Sequence, residues 1–216
     1  DARVVTVDLP GHGASPALPP GSDLGAYADA VLQTLDEHGV TSFTVVGESL
    51  GAMVSVRIAA RRPRAVTRVI LACCGTHTTP KAAEIWRERV ADVERAGIAS
   101  QIETSVERWF TPTFIAAHSP EVDRIRRMIG ATPDAGFISA ATAISTMDNR
   151  DVLPHIVSPT LVVSGRFDTA VSADATAELH AGIAGASHRS IDAAHLLSVE
   201  APDDFTDLVE NFAGAR

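Results

Sequence analysis

An α/β fold, with a mostly parallel sheet and an inserted helical segment, is what this sequence predicts. Three observations predict it. Short valine-rich runs alternate with stretches of helical period over residues 1–75. The alternation stops over residues 76–157, where only helical patterns occur. It resumes over residues 158–216. Strand, helix, strand, helix at this spacing implies parallel strands joined by right-handed crossovers. The chain therefore divides into a first part of a core (1–75), a helical lid inserted into it (76–157) and a second part of the core (158–216).

The elements follow in order. Residues 3–7, rich in valine, read as a strand. The loop Asp8-Leu9-Pro10-Gly11-His12-Gly13-Ala14-Ser15 is turn-rich, and Pro16, Pro19 and Pro20 prolong it. Ser22 or Asp23 can cap a helix that runs to about His38, with Leu24, Tyr27, Val31 and Leu35 at three- and four-residue steps. Gly39 stops it. A second strand spans 43–46, a helix 50–62 and a third strand 66–72. Arg61, Arg62 and Pro63 suit the end of that helix. Helical patterns then cover 81–96, 99–109, 120–129 and 134–147, punctuated by Pro112, Pro120 and Pro133. Trp86, Trp109, Phe110, Phe114 and Phe137 supply this segment with a small core. After Pro159 come a strand at 160–164, a helix at 173–181, a strand at 187–191 and a closing helix at 202–212.

Bulk properties narrow the function classes. A chain of 216 residues, 45% hydrophobic, can build a sizeable core. Its net charge of −9 argues against a nucleic-acid or polyanion partner. No run approaches the roughly 18 apolar residues that a membrane span needs. Cys73 and Cys74 are the only cysteines and adjacent. Neighbours seldom bridge, so they read as two small core residues rather than a reactive pair, in a reducing compartment such as the cytoplasm. The chain opens on Asp1 without a Met and runs directly into a strand, so it is expected to lack its natural N-terminus.

The chemistry starts at Gly47-Glu48-Ser49-Leu50-Gly51, a G-x-S-x-G pattern between a strand and a helix. A serine on so sharp a turn projects its hydroxyl above the edge of a sheet, and the glycines let the backbone turn and neighbouring chain approach. A serine needs a base, and the base needs a group that fixes its tautomer. Asp168 in Gly165-Arg166-Phe167-Asp168 follows one late strand, and His195 in Ala193-Ala194-His195-Leu196 follows another. In a parallel sheet all three loops open on the carboxyl edge, where ligands bind. Asp192, Asp148 and Asp151 are rivals for the acid, whereas Cys73-Cys74-Gly75 offers no carboxylate. Among the other histidines, His38 and His180 sit at helix ends, His12 holds its own loop, and His77, His118, His155 and His188 have no partner pattern. No metal-ligand spacing is evident among them. Glu48 could raise the basicity of His195 or repel an anionic substrate, or it could turn away and bind a neighbouring backbone or basic group.

Taken together, Asp8-x-x-Gly11-His12-Gly13-x-Ser15, the Ser49 turn, Gly165-x-x-Asp168 and Ala194-His195 resemble the α/β-hydrolase fold superfamily over essentially the whole chain. Within it the chain looks most like 3-oxoadipate enol-lactonases, through Glu84-Ile85-Trp86, Glu107-Arg108-Trp109-Phe110-Thr111-Pro112, and Ala131-Thr132-Pro133 before Gly136-Phe137. Ala52 departs from the second of two glycines usual there. The resemblance implies a cofactor-independent serine hydrolase acting on a small molecule, with Ser49 as nucleophile, Asp168 as acid and His195 as base. Leu50 N–H would be one oxyanion donor. The second is expected from a loop after an earlier strand, upstream of Asp1. The implied reaction is hydrolysis of 3-oxoadipate enol-lactone in aromatic catabolism, with Arg108 and Trp109 as a pocket wall. The alternatives are a general carboxylesterase, a carbon–carbon bond hydrolase, a cofactor-free haloperoxidase-like enzyme, or a non-catalytic ligand-binding protein. Dehalogenase and epoxide-hydrolase chemistry is disfavoured, since those enzymes place an aspartate where Ser49 stands.

Overall fold

The computed structural model describes residues 3–117 and 120–214. Asp1, Ala2 and His118, which figure in the sequence reading, lie outside the described residues. Four strands form one parallel sheet in the order β1 (Phe43–Glu48), β2 (Val66–Ala72), β3 (Thr160–Gly165) and β4 (Ser187–Ile191). Period-two alternation divides their side chains between two layers. Val69, Leu71 and Val162 pack on one face with helices α1 (Leu24–Glu37) and α2 (Leu50–Arg61). Ile70, Ala72, Leu161 and Val163 pack on the other, against Phe205, Leu208 and Phe212 of the last helix. Helices thus cover both faces, as a fully parallel sheet requires.

Between β2 and β3 the described residues make five α-helices: α3 (Pro80–Ala96), α4 (Ile102–Trp109), α5 (Pro112–Ala116), α6 (Pro120–Ala131) and α7 (Asp134–Ser145). Each of the first three starts under local control. Thr79 accepts the Ala82 N–H at 3.2 Å, a 3₁₀ turn at Ile98–Gln101 leads into α4, and Thr111 accepts the Phe114 N–H at 3.2 Å. Val106, Phe110, Val122, Ile125 and Ile129 give the segment a core of its own. After β3 come α8 (Ala173–Gly182), β4, the short α9 (Leu197–Glu200) and α10 (Pro202–Gly214). No helix among the described residues is long and apolar enough to cross a membrane.

Two predicted elements differ, and two short helices were not predicted. Residues 3–7 are not a strand, and Val4 and Val5 are exposed. Valine content gives strand propensity, but a strand exists only through a hydrogen-bonded neighbour, and no described strand pairs with these residues. The predicted helix 99–109 divides into the 3₁₀ turn and α4. Helices α5 and α9 stand where none was predicted, since five and four residues are too few to show a period. Cys73 and Cys74 are both free thiols in the core, and burial pushes the Cys74 thiol up to about 12.

Candidate active site

Ser49 stands between β1 and α2 with φ 52° and ψ −117°. A side chain rarely occupies that region, so the surrounding structure must impose it. Its N–H donates to the Ala72 carbonyl at 2.9 Å, and its carbonyl accepts the Met53 N–H at 3.0 Å. Strand end and helix start are fixed by these two bonds. Gly47 makes the turn possible: a Cβ there would lie 2.4 Å from the carbonyl carbon of Gly51. Gly51 differs from the expectation of close approach, since a Cβ there meets nothing within 4 Å.

Asp168 follows β3 in a turn stapled to the neighbouring loop. Arg166 N–H donates to the Ile191 carbonyl at 2.8 Å and Phe167 N–H to the Ala193 carbonyl at 3.0 Å. Its Oδ1 accepts the Ala170 and Val171 N–H groups at 2.7 and 3.0 Å. Its Oδ2 faces His195 Nδ1 at 2.9 Å, and both side chains are 4% exposed. Burial opposes the charge on Asp168. The hydrogen bond and charge of His195, with the two N–H groups, outweigh it and hold the carboxyl below the usual carboxylate range. An ionised Asp168 requires the proton on Nδ1, so Nε2 is left to accept. It faces the Ser49 hydroxyl at 2.8 Å. Serine, imidazole and carboxylate thus form one unbroken chain of hydrogen bonds. Such a chain can take the serine proton as the oxygen attacks a carbonyl and hold the resulting imidazolium in place.

The other candidates are accounted for. Asp192 pairs with Arg166 at 2.9 Å, Asp148 with Arg150 at 2.5 Å, and Asp151 approaches Arg57 at 3.9 Å. His38, His180 and His12 meet backbone carbonyls, and His188 meets Ser164. His77 neighbours Thr76 and Glu178, and His155 ends a 3₁₀ turn. Glu48 lines the cleft beside Ser49, and its carboxylate accepts the Ser198 hydroxyl at 2.6 Å and the Ser198 N–H at 3.3 Å. Burial pushes the Glu48 carboxyl up, against the pull of Ser198, His195 and Leu197. Cys73 lies beside Asp168 and His195, with ligand-capable atoms of the three within 4.8 Å of one another. Burial, and then the charges of Asp168 and Glu48, push the Cys73 thiol up, so it stays protonated there.

An open cleft runs from the serine to the inserted helices, lined by Ser49, His195, Trp86, Arg89, Arg108 and Trp109. Arg108 is half-buried, and among the described residues no carboxylate lies within ion-pair distance of it. Burial lowers its pKa while the charge of Asp168 raises it. Arg89 escaped the sequence reading. It is 6% exposed, donates to Gln101 at 2.7 Å and Ser105 at 2.9 Å, and lies 4.6 Å from the centre of the Trp86 ring. Burial, and then the charge of Arg108, bring it down to about 10. The three-residue step from Trp86 to Arg89 on one helix face was the available signal. Glu200 also escaped. It accepts the Ala194 N–H at 3.0 Å and the Thr111 N–H at 3.2 Å.

Comparison with known proteins agrees with this architecture. The 3-oxoadipate enol-lactonase 2 of Acinetobacter baylyi is 27% identical over 207 residues, 96% of this chain and 77% of that protein. The enol-lactonase of Burkholderia xenovorans LB400 superposes with a TM-score of 0.91 and 29% identity, over 96% of this chain and 79% of that one. A hydrolase from Pseudomonas aeruginosa PA01 gives a TM-score of 0.90 and 34% identity, over 96% of this chain and 78% of that one. Residues 1–202 match the sequence model of the alpha/beta hydrolase fold, and the chain belongs to that family of hydrolytic enzymes.

Proposed function

We propose that this chain is a serine hydrolase that cleaves a small carboxylated lactone or ester through an acyl-enzyme, with 3-oxoadipate enol-lactone as its substrate. The observation that carries the reading is the hydrogen-bonded chain from Ser49 through His195 to Asp168. In this reading Ser49 attacks the carbonyl and His195 takes its proton. His195 then returns that proton to the leaving oxygen and activates the water that releases the acid. Asp168 holds the imidazole. The Leu50 N–H, in the first turn of α2, faces the developing oxyanion, where a helix N-terminus stabilises negative charge. Residues 76–157 act as the lid over this site. The choice of substrate is supported by the relatives named as enol-lactonases. It is also supported by Arg108, a half-buried cation with no described carboxylate partner, placed to receive a substrate carboxylate beside Trp109.

The test is turnover of that lactone by the purified protein, beside p-nitrophenyl acetate, with Ser49→Ala as control. Lactone hydrolysis that disappears in the variant is the expected result. Cleavage of the simple ester without the lactone makes the protein a carboxylesterase. Turnover of both by Ser49→Ala removes Ser49 from the mechanism.

A further inference from the structure

The loop carrying His195 is tied to the inserted helices as firmly as to the sheet. The Trp109 carbonyl, at the end of α4, accepts the His195 N–H at 3.0 Å and the Leu196 N–H at 3.1 Å. Four residues after Leu196, the Glu200 carboxylate closes the same junction. It accepts the Ala194 N–H at 3.0 Å, the Thr111 N–H at 3.2 Å and, in a shorter contact, the Thr111 hydroxyl. Leu196 and Val199 pack against the core of Val106, Phe110 and Val122. Residues 109–111 and 194–196 therefore form one hydrogen-bonded body, which starts beside Arg108 on one strand of chain and contains the histidine on the other.

The chemistry of the junction calls for a carboxylate. All its donors are neutral N–H and O–H groups, and a carboxylate offers only acceptors. An amide would turn an NH₂ group toward one of them. Bonds to a charged acceptor are also the stronger kind. A base on a loop gains most from such support, because an error of about 1 Å in a reacting group can cost on the order of 10²-fold in rate.

We propose that Glu200 is a positioning residue: it sets the His195 ring against Asp168 and Ser49, and it locks the base to the Arg108–Thr111 wall that meets the substrate. The proposal rests on the reading of Ser49 as nucleophile, and it takes a test that does not depend on turnover. The low-field proton signal of the Nδ1–H that His195 shares with Asp168 is recorded in the wild-type protein, Glu200→Gln, Thr111→Val and Thr111→Ser, with His195→Ala as assignment. The expected result is a sharp signal in the wild type and Thr111→Ser, and a broadened or missing one in folded Glu200→Gln and Thr111→Val. In parallel, kcat and KM are measured on p-nitrophenyl acetate and on the mono-p-nitrophenyl ester of adipic acid. Glu200→Gln is expected to lower kcat by about 10- to 100-fold, and the carboxylated ester, which reaches the wall, loses more than the acetate. An unchanged proton signal in both Glu200→Gln and Thr111→Val overturns the proposal, as does an equal loss on the two esters. Failure of the wild type to react with a fluorophosphonate probe would count against Ser49 instead and leaves the proton signal to decide on Glu200.

Discussion

At the scale of single residues, Ser49 and Asp168 show how local backbone sets chemistry. The positive φ of Ser49 lifts its hydroxyl into reach of His195. Four hydrogen-bond acceptor positions of Asp168 are used in part by two N–H groups and the imidazole, so its charge is held although its side chain is buried. Asp168→Asn keeps the shape but offers its amide to Nδ1. The imidazole then takes the other tautomer, and kcat is expected to fall on the order of 10⁴-fold with KM nearly unchanged. Steady-state kinetics on p-nitrophenyl acetate check this; a loss below about tenfold would remove Asp168 from its role. Glu48 behaves in the opposite sense. Its pKa is raised in the folded protein, chiefly by burial, so the folded state holds that proton more tightly than the unfolded chain. Its contribution to stability is therefore most favourable at low pH and is lost as pH rises from the ordinary carboxylate value through the raised one. Glu48→Gln removes that slope. Melting temperatures across this window should show the variant gaining on the wild type as pH rises, then a constant difference above it. Parallel curves would show that the carboxyl is not perturbed.

At the scale of elements, what was legible in the sequence depended on length and on local closure. Helices α1, α2 and α3 repeat their apolar positions over three turns or more, and their ends carry caps such as Asp23 and Thr79. Strand β4 lies at the predicted 187–191 although Ile191 is its one apolar residue, and β2 lies where its valine and isoleucine content placed it. Residues 3–7 have the same composition and no partner, so propensity alone misled. The three residues of the hydrogen-bonded chain were legible because each sits in a short turn with its own pattern. Arg89 and Glu200 were not, because their meaning comes from contacts across the fold: Glu200 meets Thr111 across 89 positions. Capping offers a direct test of how the inserted segment is built. Thr79 accepts the Ala82 N–H at the start of α3, the helix that carries Trp86 and Arg89. Thr79→Ala leaves that donor without its partner and is expected to cost about 1 kcal/mol in urea unfolding. A change under a few tenths would mean that water replaces the cap without loss.

Across the whole molecule, the inserted helices rest on the sheet layers at a few close junctions, and these decide whether the cleft-lining residues of those helices keep one geometry with Ser49. One is the bond from the Tyr27 hydroxyl on α1 to the Ser139 hydroxyl on α7, at 3.0 Å. Another is the junction of Trp109 and Thr111 with the His195 loop. The tightest is backbone against backbone: Gly136, in the first turn of α7, meets Gly11 in the loop after residues 3–7. A Cβ on Gly136 would lie 1.9 Å from the Gly11 carbonyl oxygen and 2.7 Å from its carbonyl carbon. No rotamer relieves a clash with backbone, so Gly136→Ala must move α7 or the loop. Overpacking of this kind costs about 1–3 kcal/mol. Helix propensity acts the other way, since alanine inside a helix is better than glycine by about 0.5–1 kcal/mol. The steric cost is the larger, so the variant should unfold at lower urea. Because α3 packs along α7, the displacement should carry Trp86 and Arg89 with it and raise KM for a carboxylated ester more than for p-nitrophenyl acetate. A stabilised Gly136→Ala, with both KM values unchanged, would show that the loop yields freely and that this junction does not hold Trp86 and Arg89 in place.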